Sequence, residues 1–147
     1  MVFRTYDVPV LQKPAKDTGT TIEAYEAEEA VLQGQLVKPG STDGETIEPS
    51  DTDGEKVVGV ALYDGGVGEL VDVARETPAA RLTSGTGSIS AGDPITSYGG
   101  TGEEGEVDTA TAEGEFIVGM AIDDDEGTNG DVRVDFDLQP GSEFGGA

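Results

Sequence analysis

Apolar residues occur in this chain only as short runs, and the longest aliphatic-rich one is VVGVALY (57–63). That is far below the ~20 residues that span a bilayer. Several runs alternate with polar residues. VRVDFDL (132–138) places Val132, Val134, Phe136 and Leu138 on one face and Arg133, Asp135 and Asp137 on the other. A period of two is the pattern of a half-buried strand. Leu, Ile, Val and Phe total 32 residues, of which 15 are Val, a residue that packs well on a pleated surface. They make up about 22% of the chain, close to the roughly 20% at which high net charge signals disorder. Pattern decides the matter: regular apolar runs predict a folded β-rich domain.

The runs recur. VLQGQLV (31–37) aligns with ISAGDPI (89–95) at an offset of 58, and VVGVAL (57–62) aligns with IVGMAI (117–122) at an offset of 60. Each second motif leads through a Gly-containing acidic turn into an alternating run, LVDVAR (70–75) or VRVDFDL. Two motifs in the same order at nearly one offset predict two pseudo-repeated hairpin units, about 31–75 and 89–138. The expected fold is all-β, a small antiparallel barrel or sandwich with an N-terminal arm. The arm is assigned to residues 1–20, the β domain to 21–138 and a C-terminal tail to 139–147.

Between the runs lie KPGSTDGETIEPSDTDGEK (38–56), YGGTGEEGEVDTATAEGE (98–115) and DDDEGTNGD (123–131). Segments this polar cannot bury a core and are expected as surface turns. TIEAYEAEEAVLQG (21–34) has helix-favouring Ala and Glu but alternates, and is read as strand. RETPAARL (75–82) is read as holding one helical turn. The first twenty residues contain Arg4, Lys13 and Lys16, three of the eight basic residues. Such an arm serves as a partner-binding strand or as an edge strand of the same domain.

The charge is lopsided, with 31 Asp+Glu against 8 Lys+Arg, for a net charge of −23. Nucleic-acid backbones and anionic membranes call for Lys and Arg, so neither is an expected partner. Without Cys or His, zinc sites, thiol nucleophiles, disulfides and imidazole bases are excluded. The start, MVFRTYDVPVLQKP, has no uninterrupted apolar segment, so no secretory signal is read. Acidic residues spread along the whole chain repel one another in dilute salt and are screened in molar salt. The expectation is a surface adapted to a hypersaline medium.

Candidate chemistry is sparse. STDGE (41–45), DTDGE (51–55) and DDDEGTNGD resemble oxygen-ligand calcium loops, but neither the Asp51 nor the Asp125 frame meets EF-hand spacing. They are read as solvated acidic turns, with no metal site expected. GTGSIS (85–90) starts like a phosphate loop but lacks the third Gly and a following Lys. Ser84, Ser88 and Ser90 have no His to activate them. No carboxylate pair stands out as catalytic, so the expectation is no enzyme, no catalytic residue and no cofactor.

The order of the motifs resembles the small head-decoration, or capsid cement, proteins of tailed viruses. The matching residues are VLQGQLV, VVGVAL, SISAGDPI and IVGMAI followed by GDVRVDF, together covering about 31–136. The resemblance implies a virion protein made in the host cytoplasm and bound to the outer capsid surface. Its implied partners are the major capsid protein and copies of itself, as a homotrimer, or as a pentamer at five-fold sites. It further implies an arm that adds a strand to the capsid protein, here Val2, Phe3, Tyr6, Val8, Val10 and Leu11. Where members of that family are often near neutral, this chain is strongly acidic, which fits a virus of a halophilic archaeon. Two rival readings remain: the base of a vertex or turret structure in the same virion, and a cell-surface β module that binds cations or glycan.

Overall fold

A computed structural model of the chain describes residues 21–42, 45–100, 102–138 and 143–145. The expected arm lies outside the described residues. Nine strands follow in order: β1 (Thr21–Ala27), β2 (Leu36–Pro39), β3 (Thr46–Pro49), β4 (Gly59–Ala61), β5 (Leu70–Thr83), β6 (Pro94–Ser97), β7 (Val107–Thr109), β8 (Gly119–Ala121) and β9 (Asp131–Asp137). Among the described residues there is no helix. The fold is all-β, as the alternation predicts.

All nine strands belong to one sheet, in the order β1-β3-β2-β4-β5-β9-β8-β6-β7, and β1 also pairs with β5. The pairing of the first five strands therefore returns on itself. A closed circuit of five strands cannot alternate direction throughout, so one neighbouring pair must run parallel. That pair is β1 with β3, through Glu26↔Thr46 and Ala27↔Ile47. The second half approaches closure in the same way, through a parallel bridge from Ser84 to Val107. The expectation of a purely antiparallel sheet is corrected at these two places.

β5 is the common strand. Its first half pairs with β1 and β4, and its second half pairs with β9. The helical turn expected at 75–82 is instead the middle of this 14-residue strand. Pro78 lies within this strand. Here it falls where Val134↔Ala80 and Phe136↔Thr77 leave the β5 side one residue longer, and a bulge is one of the few sheet positions that tolerates a missing N–H. A second irregularity lies opposite Thr21/Ile22. Each adds one residue to β5, so together they leave its alternation in phase. Val71 and Val73 point into one core, while Ala80 and Leu82 point into the other.

The smaller core holds Ala27, Val31, Val37, Ile47, Ala61, Val71 and Val73. The larger holds Ile89, Ile95, Val107, Val118, Ala121, Val132, Val134 and Phe136, with Leu36, Val57, Val60 and Ala74 reaching in from the first half. In β9, Val132, Val134 and Phe136 are buried while Arg133 and Asp135 are exposed. That is the alternation the sequence predicts. Registers also correspond between halves: Leu36↔Val60 and Val37↔Gly59 in the first, Pro94↔Met120 and Ile95↔Gly119 in the second.

The glycine in the middle of VVGVAL and of IVGMAI has a steric cause. A Cβ on Gly59 would collide with the Val73 side chain and press on the Ala74 carbonyl, and one on Gly119 would collide with the Asp135 carbonyl. Each glycine lets its strand approach the neighbouring backbone closely. Gly119→Ala is expected to cost roughly 1–3 kcal/mol through overpacking, read as a lowered midpoint in chemical denaturation; an unchanged midpoint would contradict the close approach.

Candidate interaction surface

The acidic turns bind their own backbone. Asp123 accepts hydrogen bonds from Arg133 N–H at 3.1 Å and Nε at 2.8 Å, and Asp124 accepts from Ala91 N–H at 2.9 Å. Asp125 accepts from Ser84 Oγ at 2.7 Å, Ile89 N–H at 2.9 Å and Gly127 N–H at 3.2 Å. Burial works against ionising Asp125, but these donors hold its carboxyl below the ordinary range. In the DTDGE turn, Asp53 accepts from Gly99 N–H at 2.7 Å and Glu55 from the N–H groups of Asp51 and Thr52. Among the described residues no group of three or more acids is arranged to hold a metal ion.

The GTGSIS segment packs as a turn. Gly85 N–H donates to Val107 O, and Gly87, at φ 77°, lies against Gly127 and Thr128. Ser84 is fully buried, and its hydroxyl ties Asp125 to Gly87 N–H. It serves as a joint between turns.

Two charge clusters remain. Lys38 sits among three carboxylates, with Nζ at 2.7 Å from Asp51, 3.7 Å from Glu55 and 3.8 Å from Glu48. The hydrogen bond to Asp51 raises the Lys38 pKa, and the same bond lowers that of Asp51. The second cluster holds no cation among the described residues. Asn129, in a left-handed conformation at φ 61°, turns its amide toward Glu106 and Glu103. Its nitrogen lies 3.0 and 3.2 Å from the Glu106 oxygens and 2.9 Å from Glu103 Oε2. Burial, the Glu103 charge and a hydrogen bond with Glu103 push Glu106 up to about 7. Two carboxylates are both acceptors, so a hydrogen bond between them requires a proton.

The remaining feature is exposed apolar surface, at Ile22, Leu32, Tyr63, Val67, Leu70, Met120 and Ile122. Sequence reasoning missed both this set and the Glu103–Glu106–Asn129 cluster. IVGMAI reads like its counterpart VVGVAL, and nothing in the letters says that one outward face is covered and the other is bare. The arm residues Val2, Phe3, Tyr6, Val8, Val10 and Leu11 lie outside the described residues.

The Glu106 proton gives a pH dependence. The folded state holds this proton more tightly than the unfolded chain, whose carboxyl has the ordinary pKa of 4.5. Stability from this group is therefore greatest at low pH, falls as the pH rises from 4.5 to about 7, and is level above that. Glu106→Gln is expected to leave thermal stability unchanged near pH 4 and to raise it by a few degrees near pH 8. An equal effect at both pH values in a circular dichroism melt would refute the shared proton.

No family model matches the chain, and no curated protein matches its sequence. Solved structures do match its fold. One is the head fiber gp8.5 N base of bacteriophage phi29, at 18% identity and a TM-score of 0.60, covering 82% of this chain and 98% of that one. Another is a chain of the capsid of Myoviridae phage XM1, at 13% identity and a TM-score of 0.59, covering 93% of this chain and 98% of that one. At these identities the likeness is one of fold.

Proposed function

We propose that this chain is a virion structural protein that binds the outside of a capsid shell and stabilises it, without catalytic chemistry. One observation carries the reading: nearly the full length of both a phage head-fibre base and a phage capsid chain shares this fold. The way the acids are used supports it. Asp123, Asp124, Asp125, Asp53 and Glu55 are engaged in holding turns, which gives a shell protein rigidity and leaves no reactive centre among them. The likeness to a head-fibre base also favours a second reading within the same virion, the foot of a fibre or vertex structure.

The same proposal reads the two strand circuits as two copies of one barrel-like plan that share β5. Val31, Val37, Ile47, Ala61, Val71 and Val73 in the first core stand where Ile89, Ile95, Val107, Ala121, Val132 and Val134 stand in the second. Val2, Phe3, Tyr6, Val8, Val10 and Leu11 then form the strand donated to the capsid protein, and copies of this chain associate on the shell. The surface of 6849 Å² carries a net charge of −23, or one charge per roughly 300 Å². That density suits a hypersaline medium, in which a Debye length of about 3 Å screens the repulsion.

Deleting residues 1–12 is expected to abolish co-sedimentation with cognate capsid shells while preserving the β circular dichroism spectrum. Retained co-sedimentation would remove the arm from the mechanism. Dialysis from multimolar to about 0.1 M salt, where the Debye length grows to about 10 Å, is expected to lower the melting temperature. A melt that is the same in both salts would refute the adaptation to brine.

A further inference from the structure

We infer that the outward face of β8, with the turn at Gly92, is a docking surface for a second copy of this chain, which it meets head to tail at that copy's β1. The inference rests on the two-unit reading above, because the chain already contains one such contact within itself.

Inside the chain, the first circuit seats its β4 face on the second. Val60, Val57 and Leu36 join the larger core, and Leu62 packs against it. Gly34 lies so near β5 that a Cβ there would sit 3.2 Å from the Arg81 carbonyl. Gly34, Val60 and Leu62 line one cleft with Thr77, Ala79, Ala80, Arg81 and Thr83 of β5.

Each part of the donating face recurs in the second circuit. Gly34 N–H donates to Ala61 O at 2.8 Å, and Gly92 N–H to Ala121 O at 2.8 Å. Leu62 N–H donates to Asp72 O at 3.0 Å, and Ile122 N–H to Arg133 O at 2.8 Å. Met120 thus stands in the place of Val60, Ile122 in that of Leu62, and Gly92 in that of Gly34. Their surroundings differ. Val60 is 4% exposed while Met120 is 51% exposed. Ile122 is 41% exposed, and a Cβ on Gly92 would meet nothing within 4 Å. Among the described residues, the loop beside this face is covered. There Gly114 N–H donates to Phe144 O, much as Gly54 N–H donates to Ser97 O in the first circuit.

The receiving surface recurs as well. On β5, Leu82 pairs with Val132 and Arg81 with Arg133. On β1, Tyr25 pairs with Val71 and Ala24 with Asp72. β1 therefore occupies the place of the β5 segment that receives Gly34. Ala27 N–H donates to Glu69 O, which puts the backbone groups of Ala27, Tyr25 and Glu23 on the β5 side and aims those of Ile22 and Ala24 at the opposite edge. Ile22 on that strand is 49% exposed. Among the described residues, the chain thus presents an uncovered donor face at β8 and, at β1, a strand that such a face fits. A contact of this kind is heterologous: it closes into a ring if the rotation allows and otherwise continues as an open row.

The chain has no Cys, so single introduced thiols report the contact cleanly. Full-length Ile22→Cys and Met120→Cys chains are oxidised mildly in multimolar salt, each alone and then mixed. The expected result is a disulfide-linked dimer several-fold more abundant in the mixture than in either sample alone. Equal dimer in each sample alone would mean a self-facing contact, and no dimer in any sample would mean no contact; either overturns the inference. Met120→Asp, at an exposed site, is expected to reduce the molar mass in light scattering to that of the monomer; an unchanged mass would also overturn it. Co-sedimentation of the unmodified chain with capsid shells, run alongside, separates the two readings. Binding without cross-linking removes this inference and leaves the virion role standing, and cross-linking without binding does the reverse.

Discussion

β5 is the constraint on which the rest of the fold depends. It belongs to both strand circuits, so its two halves must feed two different cores from one continuous backbone. The alternation of a strand makes this possible, because successive side chains point to opposite faces. Val71 and Val73 face the smaller core while Ala74, Ala80 and Leu82 face the larger one. The irregularities at Arg75 and around Pro78–Ala79 add one residue each, so that together they keep this phase. Each circuit has five members, which forces a parallel contact, and in both halves it falls where the first member meets the third. Ala27↔Ile47 and Ser84↔Val107 are these two contacts.

The acids complete what the apolar residues begin. Strands of three or four residues make few ladder bonds, and the turns between them need further anchoring. Here Asp and Glu side chains accept from turn N–H groups across the sequence, as Asp64 does from Gln33 and Asp124 from Ala91. An ionised carboxylate accepting from a backbone N–H makes a stronger bond than a neutral acceptor. The cost is repulsion among acids that outnumber the cations. Lys38 relieves it locally for Asp51, Glu55 and Glu48, and at Glu106 a retained proton does so.

Much of this was legible in the sequence, and the limits have physical causes. Period-two alternation located β9 to within one residue at each end, because one face of that strand is buried and the other solvated. Three things were less visible. That 75–82 is strand was hidden because the bulge that accommodates Pro78 arises from pairing with β9, a partner more than fifty residues away. The parallel closures follow from counting strands in a circuit, which needs the topology first. Acids that bind backbone N–H groups look the same in sequence as acids that face water. Of the candidate site, the arm was named from sequence, whereas the exposed Met120–Ile122 face depends on which of two similar surfaces the fold covers.

That difference in coverage separates two strands with similar pairings. Val60 and Met120 hold corresponding places in β4 and β8, and Leu36↔Val60 corresponds to Pro94↔Met120. Their burial differs because Val60 joins the larger core, while Met120, among the described residues, faces outward. In the first half the apolar face is consumed in joining the two circuits, and loop 103–105 locks the joint: Leu36 N–H donates to Gly105 O, Gly105 N–H to Ser50 O, and Gln35 Nε2 to Glu104 O. The Glu103–Glu106 proton sits in that same loop, so the charge state of the pair acts on the joint between the circuits. In the second half the corresponding face stays bare except where Phe144 covers its loop. Among the described residues, Met120 and Ile122 on this face and Ile22 on β1 keep apolar surface in contact with water, and covering that surface would be favourable.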